Sequence, residues 1–189
     1  MDVVALNDKQ DAILNAAFQA FSSYGYRRTA MDDIARCAGI SRSALYLHWR
    51  NKEDIFRSLA VRYFEEAQRD MARALAQPGQ SLEAALMAGF VAKDGKFMAA
   101  VLTTPHGAEL LDAGFAVTGD VAAAGEVLLA GVLADWLRGL ALPEGIGTAD
   151  EVAVSIMQAV KGLKTSVRTM EAYRAGQQRL ARLFARAIG

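Results

Sequence analysis

Three helix-start signals crowd into residues 29–54, and they constrain the fold more than any other feature of the chain. Thr29-Ala30-Met31-Asp32 has the form of a capping box, with threonine at the cap and an acid three positions on. Ser41 follows Gly39-Ile40 and can cap a second helix. Asn51-Lys52-Glu53-Asp54 caps a third, with acids in the first turn where they meet the positive end of the helix dipole. The spacing predicts a helix over residues 31–38, a turn at Gly39, and a helix over residues 41–49. Two short helices joined by a tight glycine turn form a helix-turn-helix, a shape that fits one helix into a groove of duplex DNA.

The flanking segments are helical too. Ile13, Leu14, Ala17, Phe18 and Phe21 recur at helical spacing, after a start near Asn7 or Asp8 and before a stop at Gly25. A long helix is expected over residues 52–76, with Ile55, Phe56, Leu59, Tyr63, Ala67, Met71 and Leu75 on one side and Pro78-Gly79 as its end. Ser81 opens another helix to about residue 92, and Asp94-Gly95 and Thr104-Pro105 break up the next segment. Further helices are expected over residues 117–140, 148–167 and 170–188. With three prolines, abundant alanine and leucine, and no alternating apolar runs, the expected fold is all-α, about nine helices. An N-terminal three-helix unit, residues 1–51, would precede a larger helical domain, residues 52–189.

Net charge is zero over the 189 residues, so global electrostatics give no reason to bind nucleic acid. The local balance does. Between Tyr24 and Lys52, the six basic residues Arg27, Arg28, Arg36, Arg42, Arg50 and Lys52 face only Asp32 and Asp33, and a concentrated surplus is what displaces counterions from phosphates. The single cysteine, Cys37, lies in an apolar helical pattern and reads as a small buried filler. The apolar run over residues 121–142 is interrupted by Glu126, Asp135 and Arg138 and does not read as a membrane span. The acidic start of the chain is unlike a signal peptide, so a cytoplasmic protein is expected.

Residues 13–56 resemble the DNA-binding domain of the TetR family of bacterial regulators. The likeness rests on Ala16-Ala17-Phe18, Phe21, Gly25-Tyr26 and Thr29, then Met31-Asp32-Asp33-Ile34-Ala35 and Ala38-Gly39-Ile40-Ser41. Its strongest part is Leu45-Tyr46-Leu47-His48-Trp49, followed by Asn51-Lys52-Glu53-Asp54-Ile55-Phe56. Trp49 departs from the family's usual phenylalanine, with both acting as core aromatics. The rest of the chain resembles the family only in length and helical layout. The resemblance implies that Tyr46, His48 and Lys52 contact the DNA backbone.

The residues themselves assign further contacts. Ile40, Leu45 and Trp49 can pack inward, which turns Arg42, Ser43, Ala44 and Tyr46 outward or toward the helix start. Arg42 suits bidentate contact with guanine, or equally a phosphate; Ser43 and Ala44 suit a base edge or a thymine methyl. Thr29 offers a hydroxyl beside free backbone amides, a ready anion site, Arg27 and Arg28 add outer phosphate contacts, and Ser41 at the start of the recognition helix is counted among the DNA-binding residues. A structural, internally satisfied role stays open for His48.

One short recognition helix supplies too few contacts for useful specificity, so a homodimer on a palindromic double-stranded operator is expected. Val152, Ile156, Val160, Leu163 and Val167 form one apolar stripe, and Leu180, Leu183, Phe184 and Ile188 another; the family pairs these last two helices with their symmetry mates, the alternative being that both stripes bury into their own monomer. Phe90, Phe97, Met98, His106, Phe115 and Trp136 are candidates to line an effector pocket for a small apolar or aromatic molecule. Two histidines, one cysteine and no glycine-rich phosphate loop leave nothing that points to catalysis, a metal or a cofactor. The expected function is a ligand-responsive transcriptional regulator, most simply a repressor. The alternatives are a DNA-binding regulator without a sensor, or an activator.

Overall fold

The computed structural model describes residues 3–189, with side chains from Lys9 onward except that of Phe115. Among the described residues there are nine helices and no strand: α1 (Val3–Tyr24), α2 (Met31–Cys37), α3 (Arg42–Tyr46), α4 (Lys52–Leu75), α5 (Leu82–Thr103), α6 (Gly107–Val117), α7 (Gly119–Arg138), α8 (Ala149–Ser166) and α9 (Met170–Ile188). The all-α expectation holds. No single helix among them is long and apolar enough to cross a membrane.

Chain contacts group the residues into two compact units. The first takes residues up to Arg62 together with Thr103–Ala122, and the second takes Tyr63–Leu102 with Ala123–Gly189. The first unit therefore holds α1 to α3, the start of α4 and all of α6. Its core gathers Ile13, Leu14, Ala17 and Phe21 of α1, Ile34 and Ala35 of α2, Leu45 of α3, Ile55 and Phe56 of α4, and Leu110 and Ala113 of α6. Phe21 meets Phe56 edge-on at 5.4 Å, and Tyr26 tilts against Phe56 at 4.8 Å. Such pairs add about 0.5–1.5 kcal/mol each beyond the area they bury.

The second unit packs the rest of α4 with α5, α7, α8 and α9. Met71, Leu86, Phe90, Met98, Leu129, Leu133, Ile156, Val160 and Tyr173 are all fully buried there. Gly125 of α7 lies so close to the ring of Phe64 that a methyl group in its place would collide with the ring. This core buries charged groups as well: Lys93, Asp94 and Lys164 lie within it beside Gln177, whereas the polar side chains buried in the first unit, Ser22, Thr29 and Thr118, are uncharged.

Several elements differ from the sequence reading. α1 is already helical at Val3, ahead of the Asn7 or Asp8 start. Asp94-Gly95 does not end a helix; α5 runs through it, because the Asp94 carboxylate is held by other side chains and cannot compete for the backbone. The helix expected over residues 117–140 is α7, which starts at Gly119, and a separate helix without a counterpart in the sequence reading, α6, precedes it. Thr118 separates them: its amide and hydroxyl both bond the Gly114 carbonyl, at 3.1 and 2.7 Å, which closes α6 before α7 starts. Cys37 is exposed, not a buried filler, since it falls off the Met31, Ile34 and Ala35 stripe that α2 buries.

Candidate nucleic-acid interface

The surface around α3 is built from a tied loop, a glycine turn and a five-residue helix. The loop begins at Gly25, whose φ of +84° lets α1 stop and the chain reverse. The Thr29 hydroxyl donates to the Gly25 carbonyl at 2.6 Å, and the Glu109 carboxylate accepts from the Arg27 amide at 2.6 Å. Lys52, at the first turn of α4, donates to three carbonyls of the same loop: Tyr26 at 2.7 Å, Arg27 at 2.8 Å and Thr29 at 3.0 Å. Its ammonium also lies 4.9 Å from the centre of the Tyr26 ring.

These contacts give Thr29 and Lys52 work inside the loop and move the cap of α2. Thr29 is only 1% exposed and its hydroxyl is used inside the loop, so it shapes the turn instead of presenting an anion ligand. The cap of α2 is Ala30, one residue later than expected, with the Asp33 carboxylate accepting from the Ala30 amide at 2.9 Å. Alanine has no side-chain acceptor, so only that half of a capping box exists here. Lys52 has all three ammonium hydrogens committed to carbonyls, which leaves none for a phosphate without dismantling the loop.

The turn and α3 follow the sequence more closely. Gly39 takes φ +65°, and the Ile40 amide bonds back to the Ala35 carbonyl at 3.0 Å, closing α2. Ser41 caps α3 as expected, its hydroxyl accepting from the Ala44 amide at 3.1 Å. α3 is shorter than residues 41–49: it ends at Tyr46, and Leu47, His48 and Trp49 form the turn into α4. Leu45 is fully buried, and Trp49 is anchored by its indole N–H donating to Ser58 Oγ at 2.9 Å.

That anchoring turns one face outward. Arg42, Ser43 and Tyr46 are exposed, Ala44 is half-buried, and Arg28 is exposed on the loop beside them. The Arg42 guanidinium lies 2.9 Å from the Asp32 carboxylate, 3.4 Å from the Tyr46 hydroxyl and 5.4 Å from the centre of the Tyr46 ring. Water screens an exposed pair of this kind, so a stronger anion can draw Arg42 away cheaply. His48 is half-buried, with Nδ1 3.4 Å from the Gln10 amide nitrogen and its ring 5.5 Å from that of Trp49. Leu47 was not singled out by sequence reasoning beyond the motif, yet it is 83% exposed beside Tyr46. An apolar side chain held in water at the end of a helix is the signal, and only the structure reveals the exposure.

The remaining candidates fall elsewhere. Phe90 and Met98 are fully buried in the second unit, where Phe97 and Trp136 are half-buried. His106 belongs to the first unit, with Nδ1 3.6 Å from Glu109; Phe115 is in α6 and its side chain lies outside those described. The six do not gather within one unit. A groove of about 660 Å³ on α5 and α9, which includes Met87, Val91 and Gln178, involves none of them. Of the two apolar stripes, Val152, Ile156 and Val160 are buried in the second unit's own core and are not a free surface. Leu163, Leu180 and Phe184 are half-buried, and Leu183 is 62% exposed. Among the described residues no cluster of His, Cys, Asp or Glu could hold a metal ion.

Comparison with known proteins points in the same direction as this geometry. Residues 13–59 match the model for bacterial regulatory proteins of the tetR family. Over 48 residues the chain is 42% identical to the biofilm operon icaADBC HTH-type negative transcriptional regulator IcaR of Staphylococcus epidermidis, a match covering 25% of this chain and 26% of that protein. The matches to such curated relatives span 20–40% of the relatives' lengths. Solved structures match along most of the chain. A transcriptional regulator from Cytophaga hutchinsonii has a TM-score of 0.73 at 18% identity, covering 94% of this chain and 97% of that one. The triclosan complex of SmeT has a TM-score of 0.67 at 17% identity, covering 96% and 92%; SmeT is the repressor of the Stenotrophomonas maltophilia multidrug efflux pump SmeDEF. At these identities the likeness establishes the fold.

Proposed function

Residues 13–59 are a TetR-family N-terminal domain, and on that premise we propose that the chain is a dimeric, ligand-responsive transcriptional regulator acting mainly as a repressor. The observation that carries this reading is the outward face of α3. Buried Leu45 and anchored Trp49 hold Arg42, Ser43 and Tyr46 toward solvent, with Leu47 beside them, at the size and pattern a major groove accepts. In this reading Arg42 reaches a guanine edge once released from Asp32, Ser43 and Ala44 touch neighbouring bases, and Tyr46, His48, Ser41 and Arg28 fix the backbone. Leu47 adds an apolar contact to a base or sugar. Thr29 and Lys52 act one step back, holding the loop that carries Arg27 and Arg28.

Residues 1–51 then serve as the reading head and residues 52–189 as the sensing and pairing part. Because Val152, Ile156 and Val160 lie inside the unit, the self-association surface on α8 and α9 rests on Val154 and Leu183, with Leu163, Leu180 and Phe184 at its edge. Two copies bring two α3 helices to half-sites about 34–36 Å apart. An effector with an apolar body shifts the population toward a dimer whose reading heads miss successive grooves. A coupling of about 1–3 kcal/mol changes DNA affinity about 5–150-fold. The names of the relatives, a negative regulator among them, and the SmeT complex with triclosan favour repression and a small aromatic or apolar effector.

The test is selection of bound sequences from a random duplex pool at moderate salt. A palindrome with half-sites one helical turn apart is expected from the wild-type chain. Tyr46→Ala should remove the enrichment while leaving the helical circular-dichroism signal and the dimer mass unchanged. No enriched sequence from the wild-type protein, once freed of any co-purified small molecule, would refute the reading.

A further inference from the structure

The second unit holds a charged cluster that DNA reading does not use. Lys93 and Asp94 are adjacent on α5, and both side chains are fully buried. Lys164 of α8 brings Nζ to 2.7 Å from Asp94 Oδ1, and Lys93 Nζ lies 3.3 Å from each Asp94 oxygen. Tyr63 of α4 donates to Asp94 Oδ1 at 2.7 Å, and Tyr173 of α9 to Oδ2 at 3.0 Å. Four donors fill the acceptor sites of one carboxylate, so Asp94 is fixed. Burial draws the Lys93 pKa down, and Asp94 and Glu126 oppose that draw.

Charge counting singles out the fourth member. Two lysines and one aspartate leave an unbalanced positive charge in a buried place, which proteins do not tolerate without a counter-ion. Glu126 of α7 supplies it, and holds Lys164 more loosely than Asp94 does: its Oε1 is 3.9 Å from Lys164 Nζ against 2.7 Å for Asp94, while both carboxylates stand 3.3 Å from Lys93 Nζ. Its side chain is also the most exposed of the four, at 18% against 9% for Lys164 and 0% for Asp94 and Lys93. The side chains beside it are aromatic: buried Phe64 packs against Gly125, the residue before Glu126, and Tyr63 meets Phe64 edge-on at 4.9 Å and tilts against Phe97 at 5.4 Å.

We propose that Glu126 stands in for a ligand carboxylate, and that the effector is a monocarboxylate with an apolar body whose headgroup replaces Glu126 on Lys93 and Lys164. This rests on the ligand-responsive regulator proposed above and names the effector's class. The exchange keeps the cluster neutral: one carboxylate enters as another swings to solvent, and no bond is made or broken. A neutral ligand of the same shape cannot make the exchange, because displacing Glu126 without replacing its charge strands a buried ammonium. Recognition is thus selective for charge first and body second.

The experiment is titration calorimetry of the full-length protein, without DNA, using octanoate and benzoate against octanamide and benzamide. Glu126→Gln removes the resident carboxylate and keeps the shape. It is expected to bind the carboxylates at least about tenfold more tightly than the wild type does, the increment of one additional charge-assisted hydrogen bond, with the amides unchanged. If Glu126→Gln is too unstable to titrate, carboxylate but not amide should restore its Tm. The double variant Glu126→Gln/Lys93→Gln, which is neutral again, should lose the carboxylate preference. A Glu126→Gln protein that shows no preference for carboxylate over amide, including no binding of either, overturns the proposal. Because DNA is absent, that failure is separate from a failed duplex selection, which would overturn the regulator reading and leave the carboxylate site standing.

Discussion

The two units employ lysine in opposite ways. In the first, the three hydrogens of Lys52 close on the backbone carbonyls of Tyr26, Arg27 and Thr29. In the second, Lys93 and Lys164 meet Asp94 and Glu126, and the cluster draws on α4, α5, α7, α8 and α9 at once. The first arrangement is local and shapes a surface loop. The second is distributed, so it forms only when five helices are already together. Disturbing Lys52 should therefore loosen one loop, whereas disturbing Asp94 should loosen a whole unit.

The largest effect is expected from Asp94→Asn. It leaves two buried ammonium groups sharing Glu126, and breaking a buried ion pair this way costs about 3–5 kcal/mol. Urea unfolding of the full chain checks this, and a loss under about 1 kcal/mol would mean the cluster does not hold the unit together. The same variant sharpens the comparison through pH. Burial by itself would raise the Asp94 carboxyl, but Lys164 and Lys93 outweigh it and hold its pKa well below the usual carboxylate range. A depressed folded pKa stabilises above the unfolded value, about 4, and that contribution fades as pH falls below it. Wild-type stability should therefore fall more steeply than that of Asp94→Asn between about pH 4 and pH 2.

Lys52→Met comes next. Three charged hydrogen bonds to a half-exposed loop should amount to about 2 kcal/mol of stability, together with weaker DNA binding. Were Lys52 a phosphate ligand instead, DNA affinity would fall with stability intact, so thermal unfolding beside a binding titration separates the two roles. The smallest effect is expected from Asp32→Asn. Releasing Arg42 from an exposed, solvent-screened pair should leave the urea midpoint unchanged. DNA affinity in a fluorescence-anisotropy titration should rise a few-fold; a fall would mean that Asp32 orients Arg42 for binding.

How far the sequence could be read follows the same divide. Gly25, Gly39, Ser41 and Asn51 act where their chemistry predicts, because turns and caps are settled by neighbours a few residues away. Thr29 misled by one position, since a threonine hydroxyl serves a helix cap or a turn carbonyl equally well. Asp94-Gly95 misled more, because the residue pair typical of a turn is also tolerated inside a helix once the acid has buried partners. The stripe of Val152, Ile156 and Val160 was real, but periodicity reports that a face is apolar and not what covers it. Glu126, read only as an interruption of an apolar run, belongs to an ionic cluster with Lys93, Asp94 and Lys164.

By itself, the sequence determined the helices as a class, the helix-turn-helix and the outward set Arg42, Ser43 and Tyr46, because helical periodicity, capping and α3's inward anchors act over short separations. The tertiary structure alone decided that Lys52 clamps a loop, that α6 joins the N-terminal unit, that Leu47 stands in water, and that Lys93, Asp94, Glu126 and Lys164 meet. Those last four come from three separate helices, far apart along the chain. Their attraction depends on distance and burial, which a linear order of charges does not contain.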